Sequence, residues 1–146
     1  MTSGFRSRRS RRSSGQPELP HIFINRSLGK GPIRAAIVKA GFASVRTLSE
    51  VFGESDGQFT DDDVWIAKCA EEGWTVLTKD RESLLTVHRA QIEELGVKTF
   101  ILPRAYLSGA QQIERIVENK FRIAQKAAKR GGPALWLVRP KRLEAA

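Results

Sequence analysis

The sequence predicts an α/β fold: a three-layer αβα sandwich built on a mainly parallel sheet. Two observations predict it. Short apolar runs of strand length alternate with longer stretches of helical periodicity. Helix start and stop signals bracket those longer stretches. The 146 residues suit one domain with a core of its own.

The elements follow in chain order. "HIFI" is a first strand, buried by its composition. "GPIRAAIVKAGF" is a helix, with Pro32 near its first position and Gly41 just beyond its last. Ile33, Ala36, Ile37 and Ala40 make its buried face. "ASVRTL" is a second strand. "TDDDVWIAKCAEEGW" is a helix with Thr60 as N-cap, acids in its first turn and Gly73 as the stop. "WTVLT" and "VKTFIL" are the third and fourth strands. "LSGAQQIERIVENKFRIAQKAAKRGGP" reads as one long helix. Ser108 and Gln111 have capping-box spacing, and Gly131 ends it ahead of Pro133. Its apolar stripe is Ile113, Val117, Phe121 and Ala124. "ALWLV" is the final strand. Trp65, Trp74 and Trp136 fall at helix and strand positions and read as core.

Residues 1–19 stand apart. "MTSGFRSRRSRRSSGQPEL" is rich in Arg, Ser and Gly and has too little apolar surface to order itself. The reading is a disordered basic tail at 1–19 and a domain at 20–146. No apolar run is long enough to cross a membrane, and no apolar segment follows the basic start as a secretory signal requires. The single cysteine, Cys69, cannot form an internal disulfide, and His21 and His88 lack zinc-site spacing. These features predict a reduced, cytoplasmic protein.

The net charge of +9 is unevenly placed. Residues 1–19 carry five Arg against Glu18, and residues 120–146 carry eight Lys and Arg against Glu144. The segment between them is slightly acidic. Basic ends around an acidic middle suit a polyanion held over a carboxylate site. Arg26, Lys79, Lys126, Lys129 and Arg130 are the candidate nucleic-acid contacts; solvated counter-charges are the plain alternative.

In open parallel sheets a site lies at the carboxyl ends of the strands. Asn25 ends the first strand, Glu50 follows the second, and Asp80 follows the third. Asp61, Asp62 and Asp63 open the helix before that third strand. Each acid has a local explanation, such as a helix start or a solvated loop. Together they suit a hard divalent cation, because carboxylates without His or Cys favour Mg²⁺ or Mn²⁺. "GKGP" lacks the spacing of a phosphate-binding loop, and no Ser or Cys has a visible base partner.

The order of these motifs resembles the PIN-like nucleases, which include the VapC-type toxin ribonucleases. "DVWIAKCAEEGWTVLTKD" is similar to the second half of that family's pattern, "FINRSLGK" to the opening of a small PIN-like subgroup, and "LSEVFG" to its next segment. The resemblance spans about residues 21–140. It implies a Mg²⁺- or Mn²⁺-dependent endoribonuclease acting on RNA, with a small antitoxin protein as partner and room for a homodimer. It carries the family's acids onto Asn25, Glu50, Asp63 or its neighbour Asp62, and Asp80, with Asn25, Asp63 and Asp80 as the metal ligands.

At the first of these positions the family pattern has Asp and this chain has Asn. An amide keeps the shape and one carbonyl oxygen but removes a negative charge. Losing that charge beside a divalent ion is worth on the order of several kcal/mol at an effective dielectric of ~20, before solvation offsets it. The expectation is weakened or absent cleavage. The alternative is an inactive PIN-like module that binds RNA or a partner protein.

Overall fold

A computed structural model describes residues 18–25, 28, 32–54, 60–103 and 107–146. Residues 1–17, which hold most of the basic tail, and Arg26 lie outside the described residues.

The described chain forms a six-stranded sheet in the order β2-β1-β3-β4-β5-β6. The strands are β1 (His21–Ile24), β2 (Ser44–Thr47), β3 (Thr75–Thr78), β4 (Thr99–Ile101), β5 (Leu135–Arg139) and β6 (Arg142–Ala145). β1 to β5 are parallel, and β6 returns antiparallel to β5. The helices are α1 (Pro32–Lys39), α2 (Leu48–Phe52), α3 (Asp62–Glu72), α4 (Glu82–Leu85), α5 (Arg89–Leu95), α6 (Gly109–Glu118) and α7 (Lys120–Ala128).

Alternation along the strands builds two cores, one on each face of the sheet. Ile22 and Ile24 of β1 pack with Ile33 and Ile37 of α1, Ile116 of α6 and Ile123 of α7. Phe23 points the other way, to Trp65, Ile66 and Cys69 of α3, Leu84 of α4 and Ile92 of α5. The three predicted layers are therefore present. Phe23 also stacks on Trp65 and Trp74, which fixes α3 and the start of β3 against the middle of the sheet.

Four local readings change. The N-cap of α3 is Asp61 rather than Thr60, and its side chain makes no capping hydrogen bond. Glu50 lies in a short helix rather than a loop, where it completes a capping box with Thr47. The long C-terminal helix breaks at Asn119, and the break shifts its buried face: Gln112, Ile116, Ile123 and Ala124 are inside, while Val117 and Phe121 are 37% and 41% exposed. The "ALWLV" strand is not the last, because Pro140 and Lys141 turn the chain back into β6.

Candidate functional site

The sheet order reverses at β1. The chain goes from β1 outward to β2, then crosses back to place β3 on the other side of β1. The crevice above the carboxyl ends of β1 and β3 is thus the topological switch point, where α/β sheets leave room for a ligand. Asn25 directly follows β1 and Asp80 lies two residues past β3, and register brings the two strand ends together: Ile24 pairs with Leu77.

Asn25 is 2% exposed. Its Oδ1 accepts a hydrogen bond of 2.9 Å from Thr78 Oγ1, and that same hydroxyl oxygen accepts the Asp80 amide at 2.9 Å. One hydroxyl therefore ties the end of β1 to the turn that carries Asp80. The bond also sets the amide's orientation. A carboxylate here would take the Thr78 proton on one oxygen and keep a second anionic oxygen; Asn25 has an N–H donor as its other arm.

Asp80 and Asp62 meet through Ser83. Ser83 Oγ lies 3.3 and 3.4 Å from the two Asp80 oxygens and 3.4 Å from Asp62 Oδ2. Asp62 is held from the far side by Trp65 Nε1, which donates to its Oδ1 at 2.9 Å, and His88 Nε2 stands 3.5 Å from its Oδ2. Trp65 is fully buried, so this bond anchors the carboxylate to the core beneath the rim. The result is a chain of polar groups: Asn25, Thr78, Asp80, Ser83, Asp62, His88.

Asp63, one residue on from Asp62, is exposed, because adjacent helix positions diverge by about 100°. Its backbone carbonyl accepts Gln91 Nε2 at 3.0 Å. Glu50 is engaged elsewhere. Its carboxylate accepts the Thr47 amide at 2.9 Å and pairs with the Arg34 guanidinium at 3.0 Å. Partial burial pushes this carboxyl up, but the Thr47 amide and the Arg34 charge outweigh it and hold it below the ordinary glutamate value. Among the described residues, no three His, Cys, Asp or Glu side chains gather closely enough to hold a metal ion. The pair that comes together is Asp62 and Asp80, tied to the Asn25 amide oxygen through Thr78.

Mg²⁺ is commonly held by one or two carboxylates, with waters and substrate phosphates filling the rest of its shell. Two aspartates and one amide oxygen fit that type of site; an all-protein cage they do not make.

Thr78, Ser83 and His88 belong to this chain of contacts and were not singled out from the sequence. Ser83 had a readable signal, since three residues after Asp80 is one helical turn. His88 had none. Lys79 sits at the rim, partly buried between Thr78 and Asp80. Lys126, Lys129 and Arg130 do not: the first lies in the last turn of α7 and the other two follow it, at the opposite end of the sheet, where β5 begins.

Fold and rim define a parallel α/β domain with paired acids at its switch point. The family model described as "PIN like domain" matches residues 20–104. "Putative ribonuclease VapC45" of Mycobacterium tuberculosis is 34% identical over 127 residues, covering 86% of this chain and 91% of that protein. No solved structure matches the chain. The chain belongs to the PIN-like domain family.

Proposed function

We propose that this protein is a VapC-type endoribonuclease, the toxin of a toxin–antitoxin pair, which cleaves RNA in the cytoplasm with Mg²⁺ or Mn²⁺ and is neutralised by a small antitoxin protein. Family membership and a relative named as a ribonuclease support the class. The observation that carries the chemistry is the Asp62–Ser83–Asp80 bridge above Asn25.

In this reading Asp62 and Asp80 hold the ion, with the Asn25 carbonyl as a third, neutral donor. Such an ion, when bound, would supply an activated water and offset charge on the scissile phosphate. Ser83 stands between the two carboxylates and donates its one hydroxyl proton to either of them. Thr78 fixes the height of Asp80 over β1. Trp65 prevents Asp62 from swinging out to solvent. Lys79 contacts substrate phosphate at the rim. Glu50, held by Arg34, serves the rim through the position of α2 rather than as a ligand.

A second reading rests on one observation, the neutral Asn25 at the floor of the site. A PIN-like domain with this floor can bind RNA or a partner protein without cutting.

The test is RNA cleavage with added Mn²⁺, comparing this chain with Asn25→Asp and with Asn25→Asp/Asp80→Ala. Metal-dependent cutting by the Asp form, lost in the double variant, is the expected result. Cleavage that survives both Asp80→Ala and chelator would remove the rim from the mechanism. A wide RNA panel left intact by the Asp form, yet bound by it, would favour the binder.

A further inference from the structure

The cations that the sequence grouped near the C-terminus collect far from the carboxylates. Lys126 lies in the last turn of α7, and Lys129 and Arg130 follow the helix directly. Lys98 joins them from the residue before β4. With Gly131 and Gly132, the last three of these cations (Lys98, Lys129, Arg130) line a concave pocket of about 440 Å³ at the foot of β4 and β5. Register fixes the location. Thr99 pairs with Val76, so Lys98 is level with Thr75, and Asp80 lies five residues farther along that strand direction. At about 3.3 Å per residue this is on the order of 16 Å, before any sideways offset.

This pole is electrostatically unfinished. Among the described residues, no carboxylate lies in ion-pair range of Lys98, Lys126, Lys129 or Arg130. Glu93, on the pocket wall, pairs instead with Arg89. The carbonyl end of α7 supplies only about half a unit of negative charge against four cations. Lys98 donates to the Gly131 carbonyl at 2.7 Å and the Pro133 carbonyl at 3.4 Å, which anchors its ammonium in place without neutralising it. Burial, then Lys129 and Lys126, push the Lys98 pKa down, as expected for like charges held together. Beside them Lys126 Nζ lies 5.0 Å over the Trp136 ring, so a flat aromatic surface borders the cations.

We propose that this pole is a second RNA site, which grips the phosphate backbone of the same strand whose scissile bond lies at the Asp62–Asp80 rim. Phosphate is the matching chemistry, because anchored point charges with no counter-acid recognise a diffuse anion rather than a shaped one. A strand is favoured over a single anion because Lys98, Lys126, Lys129 and Arg130 spread over a helix end, a loop and a strand foot instead of converging on one point. The proposal rests on the ribonuclease reading for its substrate but not for its measurement.

The experiment is fluorescence anisotropy of the full chain with a labelled single-stranded RNA, in chelator, across a salt series. Lys129→Ala/Arg130→Ala is expected to weaken binding and to lower the log–log salt slope by about 1.4, two contacts at ~0.7 each for a single strand. Lys39→Ala/Lys68→Ala removes the same charge elsewhere and is expected to change the slope much less. Equal changes in the two double variants would overturn the proposal, since only net charge would then matter. Inorganic phosphate that displaces RNA as well as unlabelled RNA does would also overturn it, by making the pole a single-anion pocket. These readouts need no cleavage. Loss of binding in a protein that never cuts would support the pole and leave the nuclease reading to fail separately.

Discussion

Thr78 does two things with one hydroxyl. It donates to the Asn25 carbonyl and accepts the Asp80 amide, both at 2.9 Å and both in the buried floor of the rim. Thr78→Val keeps the volume and deletes both bonds. It is expected to cost about 1–3 kcal/mol, the usual penalty for stranding buried polar groups, measured as a lower urea midpoint at constant m-value. Asn25→Asp acts in the opposite direction on metal and on stability. A new buried carboxylate costs folding free energy when no cation is present, because burial penalises the charged form. A bound Mn²⁺ reverses that cost by mass action. The Asp form is therefore expected to melt lower than the present chain in chelator and to gain more on adding Mn²⁺. Equal Mn²⁺ responses in the two forms would mean that residue 25 does not touch the ion. Glu50 gives a residue-scale pH effect. Its folded pKa is depressed, so its contribution is complete above the ordinary value of 4.5 and is lost as pH falls below it. Glu50→Gln should flatten stability against pH in that acid window and nowhere near neutrality; an unchanged acid limb would show that the Arg34 pair contributes nothing.

At the scale of elements, the break between α6 and α7 centres on one residue. Asn119 is fully buried, and its Nδ2 donates to the carbonyls of Arg115 and Arg139 at 2.9 Å each. The first bond ends α6, and the second ties that end to the top of β5. Asn119→Ala is expected to destabilise by about 1–3 kcal/mol, read by thermal unfolding, because the β5 carbonyl then loses a buried donor. A neutral substitution would mean that the break is set by packing alone. This residue also explains what the sequence could and could not tell. The strands were legible because β1, β3 and β4 are almost wholly buried and read as continuous apolar runs. The caps at Ser108 and Gly73 were legible because their chemistry is local. The stripe through Val117 and Phe121 failed because a period carried across Asn119 loses its phase there, and the partner that imposes the break, Arg139, is 20 residues away. β6 was missed because "RLEA" has one strongly apolar residue and pairs only by returning along β5. In the rim, residues at strand ends were found by topology. Ser83 lies three residues after Asp80, a spacing the sequence shows, but its reach to Asp62 and the approach of His88 cross between elements, which no spacing rule reports.

The whole molecule has two poles. Parallel strands carry Asn25 and Asp80 to one end of the sheet and begin beside Lys98 and Arg130 at the other. An acidic rim alone repels a polyanion, so attraction must come from elsewhere on the surface. The chain's +9 charge, with five arginines in residues 1–19, supplies it at long range. Deleting residues 1–19 is expected to lower the salt slope of RNA binding; an unchanged slope would exclude the tail from contact. The pole at the foot of the sheet makes a sharper demand, because its distance from the rim is fixed by the strands between them. A separation on the order of 16 Å corresponds to about five nucleotides at the ~3.4 Å axial spacing of a stacked strand. RNAs shorter than that span can occupy the rim or the pole but not both. Affinity for a cleavage-resistant RNA in Mn²⁺ is therefore expected to rise steeply as length passes about five nucleotides and then level off, and Lys129→Ala/Arg130→Ala should remove the step while leaving the weak binding of short RNAs in place. A smooth rise with length in both proteins would mean that the strand is held by diffuse charge, and that the two ends of the sheet act independently.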